Sequence, residues 1–130
     1  MLSRTSTQIV QALIELAKLA DGECEGAASI AERIKAPQNY LGKLLQQLAN
    51  EGIVISRKGS GGGFRLGRDP KTITLYDVVG SVENVDSWTS CALGVKKCSD
   101  VSPCPVHDRW KAVRDTYFDF LQKTTIADLV

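Results

Sequence analysis

Cys91, Cys98, Cys104 and His107 fall in one stretch, C-A-L-G-V-K-K-C-S-D-V-S-P-C-P-V-H, that offers no period to fold on. Leu93, Val95, Val101 and Val106 are scattered there among Gly, Ser, Pro, Lys and Asp, so neither a helical stripe nor a strand alternation emerges. The stretch carries three of the four cysteines and the only histidine of the chain. Thiolates and imidazole are soft or borderline ligands, suited to zinc or to an iron–sulfur cluster. Packing residues must therefore be sought on either side of it.

A chain of 130 residues suits one compact domain with an appended element, and 43% hydrophobic residues can supply its core. No long apolar run suggests a membrane span. Nothing at the N-terminus has the basic segment and apolar region of a secretory signal. The expected location is cytoplasmic, where cysteines are usually reduced. A cysteine cluster in that setting is read as metal-binding or redox-active before it is read as a disulfide staple. The net charge of +1 is uninformative, but its distribution is not.

Ile9, Leu13, Leu16, Ala17 and Ala20 form one apolar stripe, which predicts a helix over residues 4–20 closed by Gly22. A short helix is expected over 27–35, with Ile30, Ala31 and Ile34 on its apolar side. Pro37 breaks it and suits the first turn of a third helix over 38–50. That third helix carries Leu41, Leu44, Leu45 and Leu48 on one side, with Gln38, Asn39, Lys43, Gln46 and Gln47 elsewhere. Two such helices fit a helix-turn-helix with a recognition helix. A plain helical core with a solvated face would look the same.

The next segment of the chain favours the helix-turn-helix. Ile53-Val54-Ile55 is a short β-branched strand, succeeded by Arg57-Lys58-Gly59-Ser60-Gly61-Gly62-Gly63 and then Phe64-Arg65-Leu66. The glycines permit a hairpin turn with positive backbone angles. Arg57, Lys58, Arg65, Arg68 and Lys71 lie close together with one acid among them, Asp69. A basic hairpin after a helix-turn-helix is a wing able to touch phosphates or enter a minor groove. Nucleotide binding is disfavoured, because no helix opens after the glycines and the G-x-x-x-x-G-K-[ST] pattern is absent. A flexible linker is disfavoured by the strand formers on both sides. Beyond Pro70 a short helix is expected over 75–83, starting at Thr72 or Thr74. A last helix should run from Pro105 to about residue 124, striped by Trp110, Val113, Tyr117, Phe120, Leu121 and Thr124. That stripe can pack on a partner copy, on the intramolecular core, or on both.

In this order the parts resemble the Rrf-two family of bacterial transcription regulators. The resemblance rests on P-x-x-Y-L (Pro37, Tyr40, Leu41), G-G-G-F (Gly61 to Phe64), three spaced cysteines, C-P-x-H (Cys104 to His107) and a long last helix. Within the family the chain looks most like the iron–sulfur sensors, the iron–sulfur-cluster regulator and nitric-oxide-sensing repressor types. The resemblance implies a mainly α fold with a small β-wing and a C-terminal dimerisation helix. It implies a homodimer on a pseudo-palindromic double-stranded DNA operator, acting as a regulator, with repression expected, and not as an enzyme. No small-molecule substrate and no membrane partner are expected. Residues 1–85 would be the winged helix-turn-helix domain, 86–105 the cysteine-rich sensor loop, and 106–130 the dimerisation helix and tail. Gln38, Asn39, Tyr40 and Lys43 match the recognition helix, and Lys58, Gly59 and Ser60 match the wing, with Arg57 just before them. The family wing usually reads R-G-x-G-G-G. Lys58 takes the place of that Arg and lacks its planar fork, so Arg57 can take over the groove contact.

The resemblance also implies an iron–sulfur cluster, [2Fe-2S] in preference to [4Fe-4S], on Cys91, Cys98 and Cys104. Six residues separate the first pair and five the second, where five is the common family spacing. His107 is the candidate fourth ligand, about one helical turn from Cys104. An acid of the partner's first helix, as some family members use, would here have to be Glu15. The other reading of His107 is an ordinary polar helix residue, and Cys24 is expected to be a small packing residue or an exposed thiol. Cluster assembly would order the loop and so reset the spacing of the two recognition helices. The competing function is a zinc-bound or metal-free regulator whose cysteines respond to oxidation directly.

Overall fold

A computed structural model of the chain describes residues 2–83 and 106–130. Helix α1 (Arg4–Ala17) is the central element. It is started by Ser3, whose hydroxyl accepts from the Ser6 N–H, and it packs against α2 (Ala27–Ile34), α3 (Gln38–Asn50), α4 (Leu75–Val82) and α6 (Ile126–Leu129). Ile9, Ala12, Leu13 and Leu16 are its buried stripe. The helix stops earlier than residue 20. Lys18 and Leu19 donate three residues back, to Glu15 and Leu16, which tightens the last turn before Gly22 takes its positive φ of 81°.

Helix α3 has the bounds the leucine spacing predicts, and Leu41, Leu44, Leu45 and Leu48 are all buried. Pro37 stands one position before it, at the N-cap. Leu45 is fully enclosed, so Leu45→Ala is expected to lower stability by about 2–5 kcal/mol, read as a lower urea midpoint with little change in slope.

Strands β1 (Val54–Arg57) and β2 (Gly63–Leu66) form an antiparallel hairpin with Val54 opposite Leu66 and Arg57 opposite Gly63. β1 starts one residue later than expected, because Ile53 is buried against the core and donates no ladder bond there; its N–H goes to Leu48 O at 3.0 Å. A 3₁₀ turn at Pro70–Thr72 leads into α4, where Thr74 and Asp77 form a reciprocal capping box.

Helix α5 (His107–Lys123) and α6 return to this same core. Leu75 N–H donates to Thr124 O and Ile126 N–H to Ile73 O, both at 2.9 Å, which pairs Thr74 with Thr125. Leu121 and Ile126 are fully buried in the cluster that holds Ile9, Leu13 and Val78. Tyr76 and Phe118 meet edge to face, ring centres 6.3 Å apart, joining α4 to α5. The short α6 has no counterpart among the sequence expectations, although Thr125 and Asp128 make a second capping box.

Candidate nucleic-acid interface and sensor segment

The turn between α2 and α3 is three residues long. Lys35 adopts a left-handed conformation (φ 59°), and Ala36 N–H reaches back to Ala31 O at 2.9 Å, satisfying the end of α2 before Pro37 starts α3. Gly42 faces Ala27, and a Cβ built on it would lie 3.8 Å from the Ala27 methyl, so the two helices approach closely. That geometry buries the leucine face of α3 and leaves Gln38, Asn39, Tyr40 and Lys43 exposed. Tyr40 is 46% exposed, and its hydroxyl lies 3.3 Å from Thr5 Oγ1 at the start of α1. Nothing in the sequence periodicity pointed to that pair, since thirty-five positions separate its members.

The wing presents Arg57, Lys58, Gly59 and Ser60 at its exposed end. Gly62 N–H donates to Gly59 O at 3.0 Å, and any Cβ on Gly62 would come within 2.3 Å of Arg57 O, so glycine is required there. Lys43, Arg57 and Lys58 have no carboxylate within ion-pair distance among the described residues, whereas Arg68 pairs with Asp77 at 2.8 Å. Unpaired, solvated cations beside an exposed polar helix are suited to a polyanion, because released counterions then drive association.

Of the expected metal ligands, Cys91, Cys98 and Cys104 lie outside the described residues. His107 lies within them as the first residue of α5, and it is buried, 5% exposed, unlike an ordinary surface position on a helix. No group of three or more His, Cys, Asp or Glu side chains able to hold a metal occurs among the described residues. Cys24 is a free, half-buried thiol.

The elements that flank the cysteine segment are tied to the helix-turn-helix. Gln47 near the end of α3 donates to Ser81 O, and the Ser81 hydroxyl donates to Glu51. Glu83 accepts from the Ser3 N–H at 3.2 Å. Burial, and secondarily the negative charge of Glu83, hold the Tyr117 phenol of α5 above its ordinary pKa of 10.0.

A family model described as "Iron-dependent Transcriptional regulator" matches residues 2–130. The chain belongs to the Rrf2 family. A putative helix-turn-helix transcriptional regulator of Aquifex aeolicus is 35% identical over 129 residues, covering 96% of this chain and 90% of that protein. Among solved structures, CymR, the global cysteine regulator of B. subtilis, superposes with a TM-score of 0.82 at 28% identity, covering 99% of this chain and 95% of that one. IscR of T. potens superposes with a TM-score of 0.78 at 26% identity, covering 99% and 85%. This Rrf2 protein is thus a transcriptional regulator with a winged helix-turn-helix fold, as the sequence resemblance implies. Among the described residues, no helix is long and apolar enough to cross a membrane.

Proposed function

We propose that the protein binds a pseudo-palindromic DNA operator as a homodimer and that its occupancy is set by an iron–sulfur cluster. Residues 1–85 bind DNA, 86–105 sense, and 106–130 dimerise. Gln38, Asn39, Tyr40 and Lys43 read the major groove, while Arg57, Lys58, Gly59 and Ser60 engage the flanking backbone or minor groove. Half-sites lie about one DNA turn, roughly 34 Å, apart.

Cys91, Cys98, Cys104 and His107 would hold the cluster. The observation that carries this reading is the burial of His107 at the very start of α5, where the cysteine segment rejoins the fold. An imidazole at that junction is a nitrogen donor suited to iron or zinc. A bound cluster supplies a cross-link that is sensitive to iron supply, oxidant and nitric oxide. The chain's own part is transmission: the segment leaves from α4, which grips the end of α3 through Ser81, and returns through α5.

The likeness to CymR, which in Staphylococcus aureus has also been solved in an oxidized form, supports a second reading, in which the cysteines respond without iron, either metal-free or holding zinc. Anaerobic purification separates the two. The cluster reading expects visible absorbance, near-equal iron and sulfide, and an altered spectrum in His107→Ala. A colourless protein after anaerobic reconstitution, with zinc or no metal, would leave the second.

A further inference from the structure

The wing is docked along its return strand. Glu25 and Phe64 exchange both backbone hydrogen bonds of an antiparallel pair, Glu25 N–H to Phe64 O at 2.9 Å and Phe64 N–H to Glu25 O at 2.8 Å. Gly63 makes room for this: its φ is +133°, and a Cβ there would lie 2.4 Å from the Glu25 carbonyl carbon. The wing thus rests on Glu25, two residues before α2, the first helix of the helix-turn-helix.

That residue is itself held by its side chain. Glu25 Oε2 accepts from Ser29 Oγ at 2.9 Å and from Arg33 Nη2, both on α2. The other amino group of Arg33 donates to Glu15 Oε2 on α1 at 3.2 Å. The two carboxylates are mostly buried, with side-chain exposures of 18% for Glu15 and 15% for Glu25. Glu25 Oε1 is out of contact with solvent and has no hydrogen-bond partner among the described residues. A charge drawn that far from water is tolerated only while its other oxygen stays bound, so the guanidinium and Ser29 are what keep Glu25 in place.

We propose that Glu25 and Arg33 are positioning residues for DNA binding: one Arg33 guanidinium joins α1 and α2 to the side chain of Glu25, whose backbone carries the wing, and so sets the wing's place relative to the recognition helix. The proposal rests on the wing being a DNA contact. Glu25→Gln keeps the shape of the side chain and removes a negative charge. Electrostatics alone would tighten binding to DNA; loss of wing placement weakens it, by about tenfold. Arg33→Met is expected to weaken binding similarly. In an Arg57→Ala/Lys58→Ala background neither substitution should weaken binding further, because a displaced wing then has no contact to lose.

The experiment is operator titration of these variants, with hydrogen exchange of the Phe64 amide in parallel. Glu25→Gln binding as tightly as the parent, or tighter, overturns the proposal. So does a weakening that persists in the wing-disabled background, which would make Arg33 a direct phosphate contact or the effect a global one. If disabling the wing itself leaves operator affinity unchanged, the DNA reading of the wing has failed, and Phe64 exchange decides alone. Faster exchange in Glu25→Gln and Arg33→Met then upholds the tie between Glu25 and the wing, and unchanged exchange overturns it.

Discussion

Replacing Arg57 and Lys58 together by alanine is expected to reduce operator affinity on the order of a thousandfold while leaving the fold intact. Both side chains are exposed and neither has an ion-pair partner among the described residues, so no ion pair is lost with them. A dimer would carry four such cations to DNA. At about 1 kcal/mol for each solvent-exposed charged contact the loss is about 4 kcal/mol, or three decades in affinity. Each neutralised phosphate also adds about 0.9 to the slope of log affinity against log salt, so the slope should fall by about three to four. Phosphate contacts carry little sequence information, and the double variant should therefore lose affinity for operator and random DNA alike. Lys43→Ala, on the recognition helix, should instead narrow the gap between operator and random DNA, by about 1–3 kcal/mol if it reads a base. Fluorescence anisotropy from low to high salt measures both. An unchanged salt slope in the Arg57→Ala/Lys58→Ala protein would remove the wing from the interface.

Whether an element was legible in the sequence depended on whether its signal was local. Leu41, Leu44, Leu45 and Leu48, with Pro37 before and Gly52 after, state the period and both ends of α3, and its bounds were right. The wing was legible because Gly59, Gly61, Gly62 and Gly63 admit few backbones other than a tight turn between strand formers. The bridge between Glu25 and Phe64 was not: one residue paired across thirty-nine positions leaves no period, and Cys24-Glu25-Gly26 looks like any loop. The ion pairs of Arg33 with Glu15 and Glu25 were hidden for the same reason, since a charge run names no partner until the fold brings one. Helix α6 was missed although T-I-A-D at Thr125 to Asp128 has the capping-box spacing that also starts α4 with T-L-Y-D. His107 was singled out by its distance from Cys104, whereas its burial required coordinates.

The stripe on the last helix was read as serving a partner, the core, or both, and α5 divides it. Leu121 faces inward and is fully buried, while Val113 is 52% and Phe120 47% exposed. Val113 and Phe120, with Ala112, Thr116 and Tyr117, line an open apolar groove of about 480 Å³ along one side of the helix. Spacings of three and four keep these residues on one face, the arrangement by which two copies of a helix can pack about a two-fold axis. Large apolar side chains grouped on a monomer surface are costly in water, and covering them with a second copy removes that cost. Phe120→Arg is expected to convert the proposed homodimer to a monomer at micromolar concentration, because a two-fold axis through this groove would place two like charges at one apolar contact. Operator affinity should then fall by at least two orders of magnitude, since each protomer must bind its half-site without the other's help. Sedimentation equilibrium reads the first effect, and titration of full operator against an isolated half-site reads the second, with the monomer binding both alike. Lys123→Ala, an exposed change on the same helix, should do neither. Leu121→Ala should lower thermal stability by about 2–5 kcal/mol through the core, which separates unfolding from dissociation. A Phe120→Arg protein that stays dimeric at nanomolar concentration would mean that a different face of the molecule joins the two copies.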